Sequence, residues 1–402
     1  MKLSIVIPAL NEEASIASII ERTLAAENYI TENSTVSSLE IIVVSDGSTD
    51  NTVSIASSYV PKINLIIFEK NKGYGAAIKK GWEVATGELL AFLDADGTCD
   101  PLFFSNLVNL IHSKKADVVL GCRINKESKM PFIRRVGNFI FAKLLTFLSS
   151  NYVKDTASGM RIVKKSSLKK IYPLPDGLHF TPAMSARALL NEDIIIAEEN
   201  MPYHEREGES KLSVTKDGVR FLKVILSTAF LYRPQVIFNS LSLFVFSLAV
   251  LIMAQPIIFY LQFHRVADEM IYRFIVSEVL GIFSFFLFSS SYLIQSTIRL
   301  SILDSSDFNT KKGAASAFFE SKISTIIAFI FLFIGFIAIL NSILSRIETG
   351  KTYEHWSRYI LFSFSEIIAL IILITKFSRI TLKLVKDRLV FIQSDFYKQI
   401  DF

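Results

Sequence analysis

The sequence predicts an α/β domain with a mostly parallel sheet, followed by an all-α transmembrane domain of four helices. Short apolar runs alternate with helical segments over the first half of the 402 residues, and four long apolar stretches lie in the second half. The mean hydropathy of +0.41 is too high for an ordinary soluble protein, while 20% charged residues are too many for a pure membrane bundle. One soluble domain and one membrane domain account for both values.

The first part of the chain has the pattern of a βαβ series. The predicted strands are residues 3–7, 41–44, 65–68, 89–93, 118–120 and 194–197. These runs are apolar without alternation, as expected for strands that are buried on both faces of a parallel sheet. The predicted intervening helices are residues 11–26, 76–85, 101–113 and 182–190.

Two further helical segments, residues 132–148 and 219–232, combine basic and apolar faces. This pattern is typical of helices that rest in the headgroup layer of a membrane, although an ordinary packing helix is an alternative for the first segment. The predicted domains are therefore an α/β domain over residues 1–215, a juxtamembrane helix over 216–235, and a transmembrane domain with a cytosolic tail over 236–402.

The four apolar stretches, at residues 237–263, 271–298, 323–344 and 359–375, are each close to the ~20 residues that cross a bilayer as a helix. Lysine and arginine are more numerous in the loop between the second and third stretches and in the C-terminal tail than in the other two loops. This bias predicts a multi-pass protein whose α/β domain and C-terminus are cytosolic, in the plasma membrane if the source is prokaryotic. The N-terminus shows no signal-peptide pattern, and Cys99 and Cys122 form neither a disulfide framework nor a metal motif.

Three polar motifs follow predicted strands, at residues 8–12, 46–50 and 94–96. Open parallel sheets bind ligands at the carboxyl ends of their strands, so we expect these motifs to meet in one crevice. The two carboxylates of Asp94 and Asp96 can serve a divalent metal and a ribose or metal-bound water. The structural alternative, which applies to Asp46 and Asp50 as well, is a role in turns and helix caps.

Together these motifs resemble those of a known family. PALNE at residues 8–12, DGSTD at 46–50, NKGYGA at 71–76 and DAD at 94–96 resemble, in order, the motifs of family 2 glycosyltransferases. DTASGMR at 155–161 and REGESK at 206–211, followed by RFL at 220–222 and YRP at 232–234, are similar to the branch that transfers sugars to polyprenyl phosphates, typified by dolichyl-phosphate mannose synthase. The resemblance covers about residues 1–235 and implies the GT-A fold, a Rossmann-like domain with a mostly parallel sheet.

The resemblance also implies roles for individual residues. It places the nucleotide-sugar on Pro8, Ala9, Glu12, Asp46 and Asp94, and it places Mg²⁺ or Mn²⁺ on Asp94 and Asp96. The candidates for binding the lipid phosphate and the diphosphate are Arg123, Arg134, Arg135, Ser158, Arg161, Arg206, Ser210 and Lys211. Guanidinium groups suit a phosphate dianion because each can donate two hydrogen bonds to it. Taken individually, Arg134 or Arg135 could instead form a surface salt bridge or face the membrane.

The candidate catalytic residues are Asp94, Asp96 and Asp155. Asp155 matches a residue proposed as a general base in some relatives, but a carboxylate beside Arg161 could equally orient that arginine. A phosphate acceptor is largely ionised at neutral pH, since its second pKa is near ~6, and needs little help from a base. Where relatives often have a metal-binding glutamine, this chain has Thr98, which leaves the third metal ligand open.

The sequence therefore predicts an inverting, metal-dependent glycosyltransferase that moves a monosaccharide from a nucleotide-diphosphate sugar to a membrane polyprenyl phosphate, undecaprenyl or dolichyl. Its alternatives are a processive polysaccharide synthase, whose QxxRW motif is missing here, and a non-catalytic membrane scaffold. The net charge of +5 fits a surface against anionic membrane lipid, and no arginine-rich tract calls for nucleic acid. The sequence is also compatible with a homo-oligomer.

Overall fold

The computed structural model describes residues 1–125, 128–149, 151–204, 214–301, 313–352 and 354–393. The chain divides into two compact units, Met1–Tyr232 and Arg233–Phe402. The first unit contains a seven-stranded sheet in the order β3-β2-β1-β4-β6-β5-β7. Its strands are β1 (Lys2–Ala9), β2 (Ser38–Ser45), β3 (Asn64–Ile67), β4 (Leu89–Leu93), β5 (Val118–Cys122), β6 (Met160–Lys164) and β7 (Ile196–Asn200).

Most neighbouring strands of this sheet run parallel, which confirms the predicted fold class. β1 pairs in parallel with both β2 and β4, so the ends of these three strands lie at the same edge. β6 is antiparallel to β4 and to β5, and it was not predicted because its MRIVK sequence interrupts the apolar run with Arg161. β7 begins two residues later than predicted and continues through the polar Glu198–Asn200 end.

Helices cover both faces of the sheet and are α1 (Ile16–Asn33), α2 (Thr52–Ser57), α3 (Tyr74–Val84), α4 (Phe104–Lys114), α5 (Phe132–Leu148), α6 (Leu168–Ile171), α7 (Phe180–Leu190) and α8 (Val214–Tyr232). On one face, Ile5 and Ile7 of β1 share a buried core with residues of α1 and α4. On the other face, Val6 packs with Trp82 of α3 and Phe180 of α7. Alternate residues of β1 thus enter opposite cores, as expected for a strand buried on both sides.

In the second unit the structure describes the α-helices α9 (Pro234–Phe263), α10 (Ile271–Ser301), α11 (Ala314–Glu320), α12 (Ile323–Thr349) and α13 (Trp356–Gln393). Four of these helices, α9, α10, α12 and α13, are long and apolar enough to cross a membrane. This confirms the prediction of an all-α domain with four membrane-spanning segments.

Small and polar side chains pack the helices of this second unit. Ser242 and Ser284 exchange hydrogen bonds between α9 and α10, each hydroxyl donating to the other's backbone carbonyl at 2.8 and 2.9 Å. A Cβ atom at Gly335 of α12 would lie 2.5 Å from Glu366 Oε1 of α13, so a larger residue there would require the Glu366 side chain to shift. Such contacts are characteristic of helix packing in membranes, where apolar side chains are equally well solvated by lipid.

Candidate active site

A cleft of about 370 Å³ lies in the first unit where β1, β2 and β4 end. The side chains and backbone that line it are Pro8, Ala9, Leu10, Glu12, Asp46, Asn71, Gly73, Tyr74, Ala77, Asp94, Ala95, Asp96, Arg123, Arg134, Ala157, Gly159, Gly177, Leu178, Thr181, Tyr203, Arg220 and Phe221. The motifs at residues 8–12, 46–50 and 94–96 therefore meet in one crevice, as their positions after parallel strands predict.

The loops after β1 and β2 are tied together by side-chain to backbone hydrogen bonds. Asn11 adopts a positive φ of 49°, and its Oδ1 accepts from Thr49 N at 2.8 Å. Asp50 Oδ2 accepts from Glu13 N at 3.1 Å, while its Oδ1 accepts from Thr52 N at 3.0 Å. Asp50 is thus a loop-stabilising residue, which agrees with the structural alternative for this position.

Asp46 holds the segment that leads into α3. Its Oδ1 accepts from Lys72 N at 2.7 Å and its Oδ2 accepts from Gly73 N at 2.9 Å. Burial raises the pKa of Asp46, and these two N–H groups partly offset that rise. Gly73 has a φ of 108°, and a Cβ atom there would lie 2.5 Å from Asp176 O. Only glycine fits this turn, and the turn places Tyr74 in the cleft.

The carboxylate of Asp94 is clamped in place. The Tyr74 hydroxyl donates to Asp94 Oδ1 at 2.6 Å, and a Cβ atom at Gly159 would overlap Asp94 Oδ2. Burial, followed by the Asp94 charge, raises the pKa of Tyr74 well above its usual range, so the phenol stays a donor. The glycine of the DTASGMR motif therefore makes room for Asp94.

The carboxylate of Asp96 is oriented by the residue that replaces the expected glutamine. Thr98 Oγ1 donates to Asp96 Oδ1 at 2.6 Å, and Thr98 N donates to the same oxygen at 3.2 Å. Asp96 is 7% exposed and lines the cleft. In the described part of the chain, no group of three or more His, Cys, Asp or Glu residues is arranged to hold a metal. Two carboxylates nevertheless fit Mg²⁺ or Mn²⁺, since such ions take one or two carboxylates together with substrate phosphates and water.

Arg123 lines the cleft and is held there by a bidentate ion pair. Its Nε donates to Asp155 Oδ2 at 2.7 Å and its Nη2 donates to Asp155 Oδ1 at 2.8 Å. The Arg123 side chain is 13% exposed, whereas Asp155 is fully buried. Its guanidinium also lies 5.5 Å from the ring centroid of Tyr203, a cation–π distance. Asp155 and Tyr203 together hold the guanidinium of Arg123 in position.

Asp155 does not line the cleft. Its carboxylate also accepts from Arg123 N, from Asn138 Nδ2 and from Ala157 N, so both oxygens are used inside the protein. Burial alone would raise the pKa of Asp155, but the charge and hydrogen bonds of Arg123 outweigh it and lower that pKa. A buried, ionised carboxylate with these partners is suited to orienting an arginine. Of the two roles left open for Asp155, the geometry supports orientation, and the oriented residue is Arg123 rather than Arg161.

We expect this ion pair to make the first unit labile in acid. The folded-state pKa of Asp155 is lowered, so its contribution to stability is complete above the unfolded-state pKa of about 4. The contribution is lost as the pH falls below that value through the folded-state pKa. Urea unfolding of a Trp356→Phe background, followed by the fluorescence of the buried Trp82, measures this loss. The free-energy difference between wild type and Asp155→Asn should shrink steadily below about pH 4, and a constant difference would contradict the assignment.

Ser158 and Arg161 are placed differently from the prediction that they bind the lipid phosphate. Arg161 is fully buried, and its Nε, Nη1 and Nη2 donate to Ser158 O, Ser185 Oγ and Thr156 O. Burial lowers the pKa of Arg161 to about 10. The Ser158 hydroxyl is also buried and donates to Gly121 O at 2.6 Å. Neither residue lines the cleft, so this packing supports a structural role for both.

The other lipid-phosphate candidates divide into three groups. Arg123 and Arg134 line the cleft. Arg135 does not, and its Nη2 donates to Ser128 O at 3.2 Å. Arg206, Ser210 and Lys211 lie outside the residues that the structure describes. The nucleotide candidates Pro8, Ala9, Glu12 and Asp46 all line the cleft beside Asp94.

Several cleft residues were not among the sequence candidates. Arg220 and Phe221 reach it from α8, and Arg220 Nη1 pairs with the buried Asp217 Oδ1 at 3.0 Å. Tyr74 and Tyr203 contribute two aromatic rings, and Asn71 contributes an amide. Arg220 and Tyr74 both lie in or near quoted motifs, so motif position could have found them, whereas nothing local marks Tyr203.

Comparison with known proteins agrees with the fold. The model of the family described as glycosyl transferase family 2 matches residues 4–172. A dolichyl-phosphate hexose transferase of Haloferax volcanii is 32% identical over 230 residues, which cover 56% of this chain and 92% of that protein. The chain belongs to glycosyl transferase family 2.

Other relatives match a smaller share of their own length. A low-salt glycan biosynthesis hexosyltransferase of Haloferax volcanii is 33% identical over 234 residues, 56% of this chain and 54% of the relative. The chain thus spans about half the length of that relative. A dodecaprenyl-phosphate galacturonate synthase of Rhizobium johnstonii is 29% identical over 262 residues, 63% of this chain and 75% of the relative. The names of two of these three proteins include a polyprenyl or dolichyl phosphate.

Proposed function

We propose that the protein transfers a monosaccharide from a nucleotide-diphosphate sugar to a polyprenyl phosphate at the cytosolic face of a membrane. The observation that carries this proposal is one cleft in which two carboxylates, Asp94 and Asp96, share the lining with three arginines, Arg123, Arg134 and Arg220. The two carboxylates suit a metal-bound diphosphate, and the arginines suit a phosphate acceptor. The names of relatives that act with dolichyl or polyprenyl phosphates support the same pairing.

Asp94 and Asp96 are the residues that would hold Mg²⁺ or Mn²⁺. When bound, such an ion neutralises the charge on the diphosphate of the donor. The Tyr74 and Thr98 hydroxyls orient the two carboxylates toward this task by hydrogen bonds of 2.6 Å each. Pro8, Ala9, Glu12 and Asp46 then hold the nucleotide from the β1 and β2 side of the cleft.

The arginines hold the acceptor. A phosphate monoester is largely a dianion at neutral pH because its second pKa is near ~6, so it attacks the anomeric carbon without deprotonation. Its oxygen forms the new bond as the bond from the sugar to the nucleoside diphosphate breaks, and this single displacement inverts the anomeric carbon. The protein's contribution is then position and charge. This agrees with Asp155, a buried carboxylate that faces Arg123 instead of the cleft.

The two helices that supply Arg134 and Arg220 to the cleft, α5 and α8, also carry exposed apolar surface. On α5, Phe132 is 80% exposed, and Ile133, Phe139, Ile140 and Phe147 are also exposed. α8 exposes Val219, Leu222 and Phe230, and it contacts α5 through Phe221 and Phe141, whose ring centroids are 6.0 Å apart. Apolar faces flanked by arginine and lysine suit the headgroup layer of a membrane, where the acceptor phosphate lies. The lysine and arginine bias of the loops supports a cytosolic first unit.

A transfer assay tests the function directly. Purified full-length protein is incubated with Mg²⁺ or Mn²⁺, with radiolabelled UDP- and GDP-sugars, and with undecaprenyl or dolichyl phosphate in vesicles. Radiolabel that enters the organic phase and is released by mild acid as a monosaccharide supports the proposal. Label that appears only in long polymer would favour a processive synthase, and no transfer with any pairing would reject the proposal.

Replacing the exposed apolar residues Phe139 and Ile140 of α5 with serine should weaken transfer on vesicles. Each side chain is more than half exposed, so folding should be little affected, while contact with lipid is reduced. We expect a loss of about fivefold or more in the initial rate on vesicles, with nucleotide affinity unchanged. The matched control replaces Tyr29 and Leu102, exposed apolar residues away from α5 and α8, with serine. Equal rates for the two double variants would contradict a membrane contact by α5.

A further inference from the structure

One of the buried residues of α5 is polar. The buried residues are Asn138, Ala142, Leu145 and Leu148, a stripe at helical spacing in which only Asn138 carries a polar side chain. Asn138 is 6% exposed. A buried amide in an apolar stripe is costly unless its hydrogen bonds are satisfied, so its partners define what it does.

Asn138 binds the first two residues of the DTASGMR motif. Its Nδ2 donates to Asp155 Oδ1 at 2.9 Å. Its Oδ1 accepts from Thr156 N at 3.0 Å and from Thr156 Oγ1 at 2.6 Å. One side chain of α5 therefore fixes both the carboxylate of Asp155 and the backbone that follows it.

The same Asp155 oxygen carries the contact onward to the cleft. Asp155 Oδ1 accepts from Arg123 Nη2 at 2.8 Å as well as from Asn138. A displacement or rotation of the carboxylate would move the guanidinium of Arg123, because the ion pair is bidentate and its geometry is fixed. Thr156 O in turn accepts from Arg161 Nη2 and Ser185 Oγ. The backbone that follows Asp155 is therefore also held by hydrogen bonds.

We propose that Asn138 is a positioning residue for sugar transfer, which fixes Asp155 so that Arg123 meets the acceptor phosphate in the cleft. This inference rests on the proposed function. It assigns α5 two faces with different tasks: the outer apolar face lies in the headgroup layer, and the inner amide links that helix to an arginine of the cleft. The position of α5 on the membrane and the position of Arg123 in the cleft are then linked through Asn138 and Asp155.

The first test compares Asn138→Ala with Gly137→Ala in full-length protein. A Cβ atom at Gly137 would meet no atom within 4 Å, so this neighbour on the same helix is a matched control. We expect Asn138→Ala to raise the KM for undecaprenyl phosphate in phosphatidylglycerol vesicles by about tenfold or more, with the Kd for the donor nucleotide changed less than about twofold. Gly137→Ala should leave both constants as in wild type.

Asn138→Asp keeps the shape of the side chain. It should make the KM for the acceptor depend on pH, which a merely structural role would not do. The new carboxylate would face Asp155 Oδ1 across the present 2.9 Å contact, and two carboxylates this close share a proton. The other charged groups around Asp155 are Arg123, Arg161 and Glu198, whose carboxylate accepts from Lys154 N and Asp155 N. Raising the pH ionises both carboxylates and separates them, so the KM of Asn138→Asp relative to wild type should rise with pH.

Two results would overturn the inference while leaving the proposed function intact. One is a folded Asn138→Ala protein, shown by normal nucleotide affinity, with an unchanged KM for the acceptor. The other is an Asn138→Asp protein whose KM follows the same pH course as wild type, and this outcome decides the matter if Asn138→Ala does not fold. Wild-type protein that makes no polyprenyl-linked sugar would instead reject both the function and the inference.

Discussion

Replacing Asp96 with asparagine should reduce sugar transfer by about a hundredfold or more and leave the first unit folded. The change preserves the side-chain oxygen that accepts from Thr98 N and Thr98 Oγ1, so the loop after β4 keeps its hydrogen bonds. It removes the negative charge that would hold the divalent cation in the proposed donor complex. Electrostatic stabilisation of this kind is commonly worth ~3 kcal/mol or more, which corresponds to a loss of about a hundredfold in kcat.

The matched control is Asp100→Asn in the same loop. Asp100 Oδ1 accepts from Leu102 N at 3.1 Å, a contact that an asparagine oxygen can keep, and Asp100 does not line the cleft. Steady-state kinetics at saturating Mn²⁺ and thermal unfolding of both variants give the comparison. Wild-type turnover by Asp96→Asn, or full activity of the wild type in EDTA, would contradict the assignment of the metal to Asp94 and Asp96.

Replacing Asp155 with asparagine should lower stability and weaken the use of the lipid acceptor together. Arg123 would lose the charge of its partner while remaining largely buried, and the new amide would place a donor against Arg123 or Asn138. Removing one member of a buried ion pair commonly costs ~3–5 kcal/mol, so we expect a large drop in the unfolding free energy. The KM for polyprenyl phosphate should rise about tenfold or more, because the arginine is no longer held in position.

This variant distinguishes an orienting carboxylate from a general base. Loss of a base would reduce kcat by about a hundredfold or more, without a matching change in KM or stability. The control is Asp117→Asn. Asp117 precedes β5, whereas Arg123 follows it, and the Asp117 carboxylate accepts from Ser167 Oγ and Ile195 N, away from the cleft. A stable Asp155→Asn protein with normal KM and little turnover would show that the orienting role is wrong.

Much of the architecture could be predicted because it depends on local sequence. Segments of about 20 apolar residues have few alternatives to a membrane helix, and all four appear as α9, α10, α12 and α13. The strands that end at Ala9, Ser45 and Leu93 were recognisable as continuous apolar runs. Since parallel strands end at one edge of a sheet, the convergence of Asp46, Asp94 and Asp96 also followed from the sequence.

The roles of the basic residues could not be predicted in the same way. Arg161 stands in a motif that matches the family, yet it lies within β6 between Phe92 of β4 and Leu120 of β5. The side chain of a residue in the middle of a sheet points into one of the two cores. Only the packing around it decides whether that side chain is exposed in the cleft. Here the buried acceptors Ser158 O, Thr156 O and Ser185 Oγ satisfy the guanidinium internally.

The sequence by itself determined the class of fold, the membrane-spanning helices and the acidic edge of the sheet, because each depends on the order and spacing of residues near one another in the chain. The tertiary structure alone decided which arginines reach the cleft. Arg123 is held by Asp155, which is 32 residues away in the chain. Asp155 is held in turn by Asn138 of α5. Arg220 enters from α8, nearly 100 residues after Arg123. Contacts between such distant residues depend on how helices pack on the sheet, which hydrophobic periodicity and motif spacing do not encode.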